Sequence, residues 1–275
     1  MLTATEVEIE ILGSGGPEID GSASTSYLLW IDGEAKVLID AGSGSMLRFE
    51  ETKARLETLE AIVLTHLHID HTVDLPSYVK AGFFSKRTDA LPILGPTGSH
   101  LFPSTTQFCK ALFGSKGAYR YMQDVLTAQS ESFEIIPKDI NSTYHQVFKS
   151  FTLDMISVHH GSVPSLALKI TVGEKSLIVS SDTNNDTHTL EAFTKGATLF
   201  IAHHAIPETA GDVAKTLHMP PSEIASIAKK SGVKKVILSH RMVRTLEHET
   251  ETLTIMRKSF DGQIVFAKDH MRIRL

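Results

Sequence analysis

The chain has 275 residues, 41% of them hydrophobic, 21% charged and 7% aromatic, with a formal net charge of −5. At about 150 residues per domain, this is one large layered unit or two small ones with ample core, and the composition excludes a disordered tail or a fibre. The acidic balance argues against a general nucleic-acid-binding surface, which rewards clustered Lys and Arg. The single cysteine, Cys109, excludes an intramolecular disulfide and a Cys-based zinc cluster, whereas 14 histidines are many for this length.

Short apolar runs of strand type open the chain at 7–12, 26–31 and 36–39, with Asp32-Gly33 as a hairpin turn. Helical spacing follows over 45–59, then a buried-strand run at 61–64, a loop at 65–71 and a helix predicted over 72–84. A strand at 91–94 and a helix over 99–113 complete the first half. The second half repeats this order. Strands are predicted at 133–136, 147–158, 166–172, 175–180, 198–202 and 236–238, and helices near 187–194, 221–230 and 247–258. Pro220-Pro221 can open a helix and Gly232 can close one. Two half-sheets packed face to face, with helices outside, fit this order. No apolar run approaches the ~20 residues of a membrane helix. The first residues lack the basic and apolar regions of a signal peptide, so a cytoplasmic location is expected if Met1 is the native start, and a periplasmic or secreted one if a leader has been removed.

The decisive segment is Thr65-His66-Leu67-His68-Ile69-Asp70-His71, directly behind the apolar strand. Four ligand-type side chains lie in six residues. On a loop leaving a strand, His66 and His68 can chelate one ion while Asp70 and His71 turn toward a second. Imidazole with carboxylate suits Zn²⁺, with Mn²⁺ or Fe²⁺ as alternatives. Asp182 and His240 each follow an apolar strand, where a rigid scaffold presents ligands to a cleft.

The His-x-His-x-Asp-His pattern resembles the signature of the metallo-β-lactamase superfamily, and the likeness runs from Leu12-Gly13-Ser14-Gly15-Gly16-Pro17 through Leu38-Ile39-Asp40-Ala41-Gly42 to Leu238-Ser239-His240. The ribonuclease Z and phosphodiesterase branch is the most similar, on Val158-His159-His160-Gly161-Ser162-Val163-Pro164, Ser181-Asp182-Thr183 and Leu217-His218-Met219-Pro220-Pro221-Ser222-Glu223. The resemblance implies a four-layer αββα sandwich of two mixed β-sheets flanked by helices, an α/β (α+β) fold in one domain over residues 1–275. It also implies two divalent metal ions, with His66, His68 and His160 holding the first, Asp70, His71 and His240 the second, and Asp182 bridging them. His159 stays open as an alternative to His160. Asp70 and His218 are the catalytic candidates, and Asp40 is expected to orient a metal-bound imidazole.

Two such ions lower the pKa of a bridging water, so the expected reaction is hydrolysis, with no separate nucleophile required. A small phosphodiester such as a cyclic nucleotide is the favoured substrate, with a lactone, β-lactam or other carboxylic ester or amide as the alternative. The long arm by which ribonuclease Z clamps tRNA has no counterpart here, and Gly42-Ser43-Gly44-Ser45-Met46 replaces the branch's acidic turn. Nucleic acid is therefore not favoured, and homodimer formation stays open. His203-His204 is expected to line the pocket, the segment 97–132 to form its lid or wall, and Cys109 to serve packing.

Overall fold

The computed structural model describes residues 5–275; the signal-peptide reading of the first four residues lies outside them. Two seven-stranded mixed sheets carry the molecule. The first contains β1 (Val7–Gly13), β2 (Ser26–Ile31), β3 (Glu34–Ile39), β4 (Ala61–Val63), β5 (Leu91–Pro96) and β6 (Ile135–Ile140). The second contains β7 (Thr143–Val147), β8 (Thr152–His160), β9 (Val163–Val172), β10 (Lys175–Val179), β11 (Leu199–His203), β12 (Lys235–Ser239) and β13 (Gln263–Phe266). β14 (Arg272–Arg274) returns to the first sheet beside β1. The orders are β14-β1-β2-β3-β4-β5-β6 and β13-β12-β11-β10-β9-β8-β7, so each half runs from an antiparallel meander into parallel strands or the reverse.

Every residue of β2 is buried because both of its faces are covered. Tyr27, Leu29 and Ile31 point between the sheets, where they meet Leu153, Met155, Leu166 and Leu168 of the second sheet. Leu28 and Trp30, one residue out of phase, point outward to Phe49, Tyr78 and Phe113 under the first helical layer. A third apolar layer, with Phe200, Ile224, Ile227 and Met256, seats helices on the second sheet. Three apolar layers separate four structural ones, as expected. Among the described residues no helix is long and apolar enough to cross a membrane.

Several elements differ from the sequence expectation. The strand expected at 147–158 is instead the hairpin β7–β8, closed where the Phe148 N–H donates to the Phe151 carbonyl (2.8 Å) and the two rings stack at 4.6 Å. The helix expected from residue 99 starts only at Thr105. Ser104 caps it reciprocally with Gln107, and Pro103 precedes that cap. The helix expected over 72–84 is shorter, Leu75–Gly82, with Pro76 in its first turn, and a separate helical turn at Ile69–Thr72 lies mostly in the segment expected as a loop. Within 97–132, Cys109, Phe113, Met122 and Val125 are core, whereas Tyr119 and Tyr121 are exposed.

Candidate metal centre

The parallel strands set the site. Val179 of β10, Ile201 of β11 and Ile237 of β12 lie in one row, so the residues just beyond those strands emerge side by side. On the other sheet β3 and β4 do the same, with Ile39 opposite Val63. Ligands of α/β sheets gather at such carboxyl ends. Asp40, Ser181 and His240 sit there with φ of 58°, 59° and 52°, a left-handed conformation costly to non-glycine residues. The sharp turn it makes at a strand end redirects the chain, and Asp182 and His240 face the cleft as a result.

The centre of the cluster is Asp182 Oδ2. It lies 3.3 Å from His240 Nε2, 3.7 Å from His160 Nε2, 3.8 Å from His66 Nε2, 3.9 Å from His218 Nδ1 and 4.0 Å from His71 Nε2. His68 Nδ1 lies 3.1 Å from His66 Nε2, and Asp70 Oδ2 lies 3.5 Å from His71 Nε2. Thus His66, His68, Asp70, His71, His160, Asp182, His218 and His240, scattered over 175 positions of sequence (66 to 240), are brought to one place. His160 faces the cluster; His159 points away and pairs with Asp186 at 2.6 Å.

Three of the imidazoles are oriented from behind. His71 Nδ1 donates to Asp40 Oδ2 (2.7 Å), and Asp40 also accepts the Thr65 N–H (2.7 Å) and hydroxyl (2.8 Å). His160 Nδ1 donates to the Leu217 carbonyl (2.9 Å). The Thr25 hydroxyl donates to the Gly15 carbonyl (2.9 Å), so it accepts from His240 Nδ1 at 2.6 Å. In all three rings the hydrogen bond puts a proton on Nδ1 and turns Nε2 toward the cluster. Glycine makes room for the scaffold: a Cβ on Gly42 would stand 2.3 Å from the Asp70 carbonyl oxygen.

Two observations fit a cation. His71 Nε2 is buried without a hydrogen-bond partner, an expense a bound ion removes. Burial acts to lower the His71 pKa, yet the carboxylates of Asp40, Asp70 and Asp182 overcome it and raise the group to about 9, so the site favours positive charge. Burial would raise Asp182, but His240 and the surrounding imidazoles hold its carboxyl well below the usual range. His66 is driven well below its usual value, first by burial and then by His71. Burial also takes His218 down to about 3, so it is neutral at pH 7. Donor atoms of His66, His68, His160 and Asp182 lie within 4.8 Å of one another, as do those of His71, Asp182, His203 and His240.

His203 and His204 do not line a pocket. His203 is buried behind Asp182, and His204 is buried beside Thr252 (3.4 Å) and Phe266. The place of His203 was hidden in the sequence because its partner, Tyr27, comes from the other sheet. From the segment 97–132, Phe102 reaches the site, its ring 6.0 Å from that of His68.

A family model described as Anti-Pycsar protein Apyc1 matches residues 7–259. Ribonuclease Z of Mycobacterium sp. (strain KMS) is 27% identical over 253 residues, covering 85% of this chain and 84% of that one. Among solved structures, the metallo-β-lactamase fold protein YhfI from Bacillus subtilis superposes with a TM-score of 0.78 at 20% identity, covering 99% of this chain and 100% of the other. Yeast PDE1 superposes with a TM-score of 0.73 at 16% identity, over 99% and 100%. The fold is that of the metallo-β-lactamases.

Proposed function

Because the chain belongs to the family described as Anti-Pycsar protein Apyc1, and is a metal-dependent hydrolase like the relatives it resembles, we propose that it cleaves a small phosphodiester with a pair of divalent ions, zinc being the best match to its donors. A cyclic nucleotide is the form that suits the chain. In this reading His66, His68 and His160 would hold one ion and Asp70, His71 and His240 the other, with Asp182 shared between them. The observation that carries it is the gathering of five imidazole nitrogens within 4.0 Å of one oxygen, Asp182 Oδ2.

Such a pair, when bound, makes water acidic enough to ionise near neutral pH and offsets the charge that grows on the attacked phosphoryl group. The chain's own groups do the rest. Asp70 would orient the attacking water and accept its proton; its carboxylate lies 3.5 Å from His71 Nε2, beside the cluster, whereas Asp182 Oδ1 is taken by His203. His218, neutral and 3.9 Å from Asp182, stabilises developing charge by donating a hydrogen bond. His203 has both nitrogens engaged by Asp182 and Tyr27 and is therefore left out of the ligand set.

The relatives' names also support phosphorus chemistry over carbonyl chemistry: one is a ribonuclease and one is named PDE1. The test is turnover of bis(p-nitrophenyl) phosphate, a 3′,5′-cyclic nucleotide, a lactone panel and nitrocefin by the metal-loaded protein. Phosphodiester cleavage, abolished by EDTA and restored by Zn²⁺ or Mn²⁺, is the expected result. A protein carrying two ions that cleaves only lactones or nitrocefin overturns the proposal.

A further inference from the structure

The hydrogen bonds behind Asp182 continue past it. His203 Nδ1 lies 2.7 Å from Asp182 Oδ1, and His203 Nε2 lies 3.0 Å from the Tyr27 hydroxyl. All three side chains are buried. We propose that Tyr27 and His203 form a positioning pair that pins Asp182 Oδ1 and leaves Oδ2 as the oxygen that Asp182 would offer to the ions; this rests on the two-ion reading above.

The direction of each bond follows from donor inventory. An ionised carboxylate only accepts, so His203 carries its proton on Nδ1. Its Nε2 then offers a lone pair, and the Tyr27 O–H donates to it. The two oxygens of Asp182 are thereby sorted: Oδ1 is taken by His203, and Oδ2 is the one that faces five imidazoles. A carboxylate free to rotate can instead turn both oxygens onto one ion, which leaves the second ion short of a ligand.

The pair is itself held rigidly. The His203 backbone N–H donates to Ser180 Oγ (3.0 Å), two residues before Asp182, so the imidazole and the carboxylate share one frame. The His203 ring stacks on His240 with centroids 5.0 Å apart and an interplanar angle of 23°. Tyr27 belongs to β2 in one sheet and His203 to β11 in the other, so the bond between them crosses the inter-sheet core. The positioning of the bridge thus depends on how the two sheets pack.

The experiment uses the full chain loaded with Mn²⁺, measuring metal stoichiometry, competition with a chelator and the electron paramagnetic resonance of the bound ions, with circular dichroism as the folding control. Wild type is expected to bind two ions with a spin-coupled signal. Tyr27→Phe, which removes one oxygen and leaves the ring packed, is expected to weaken binding of the second ion about 2- to 12-fold, the equivalent of one neutral hydrogen bond. His203→Ala is expected to weaken it about 10- to 100-fold and to lose the coupled signal. His203→Asn, whose amide N–H stands near the Nδ1 position, is expected to restore most of both. A wild type that binds two ions while a folded His203→Ala keeps its affinity and coupling overturns the positioning pair and leaves the two-ion reading intact. A wild type that binds fewer than two ions overturns both.

Discussion

Replacing Asp40 by Asn changes one atom, and its consequences can be worked through the structure. The carboxylate is fully buried and accepts three hydrogen bonds of 2.7–2.8 Å, from the Thr65 N–H, the Thr65 hydroxyl and His71 Nδ1. An amide has one oxygen, so its NH₂ must face either the Thr65 N–H or the His71 Nδ1–H. The first choice buries two opposed donors. The second forces the His71 proton onto Nε2, the nitrogen that faces the cluster. Losing a hydrogen bond to a charged group costs about 1.5–3 kcal/mol, and leaving a buried donor unpaired about 1–3 kcal/mol more. Asp40→Asn should therefore lose about 3–5 kcal/mol in urea unfolding and bind metal about 10- to 100-fold more weakly.

The same substitution changes the pH dependence. In the metal-free protein His71 has a folded pKa of about 9 against about 6.5 unfolded. A raised base stabilises the fold fully below pH 6.5 and loses that contribution as pH rises through 9. Metal-free wild type should lose about 3 kcal/mol between pH 6 and 9.5, and Asp40→Asn should show little of this loss. Urea midpoints at both pH values and chelator competition measure it. If Asp40→Asn binds metal as wild type does and keeps the same alkaline loss, the account of how His71 is oriented is wrong.

Other expectations are direct. Burial, then Arg241, takes His204 down to about 3, so it folds neutral. Its contribution is full above pH 6.5 and declines as pH falls toward 3. His204→Leu should flatten the acid limb of a stability-versus-pH curve by up to about 1.4 kcal/mol per pH unit between pH 6 and 4; an unchanged slope refutes this. Burial pushes the Cys109 thiol up to about 12, so it should not react with a thiol reagent at pH 8 until the protein is unfolded. Gly42→Ala sets a Cβ against backbone atoms, 2.3 Å from the Asp70 carbonyl and 2.7 Å from the Ser24 carbonyl carbon. It should lower the melting temperature by the equivalent of about 1–3 kcal/mol and reduce occupancy of the ion assigned to Asp70 and His71; normal metal stoichiometry would count against that assignment.

What the sequence determined by itself is local chemistry. His66, His68, Asp70 and His71 were legible because four ligand types within six residues leave one strand end together, whatever the rest of the chain does. The buried runs of β3, β4, β10, β11 and β12 were legible because strands covered on both faces carry continuous apolar stretches, such as Val37-Leu38-Ile39 and Val236-Ile237-Leu238. The tertiary structure decided everything that depends on distance in space. It turned His160 inward and His159 outward, since successive side chains of a strand face opposite sides and only the sheet's placement says which side is the cleft. It moved His203 from a pocket wall to the back of Asp182, because its hydrogen-bond partners come from Tyr27 in the opposite sheet and from the end of the neighbouring strand. It also interrupted the strand expected over 147–158 with a turn at 148–151, where Phe148 and Phe151 stack on each other and join β7 to β8 as a hairpin. Propensity and spacing act along the chain; which ring nitrogen faces the cluster is settled by strands that meet only after folding.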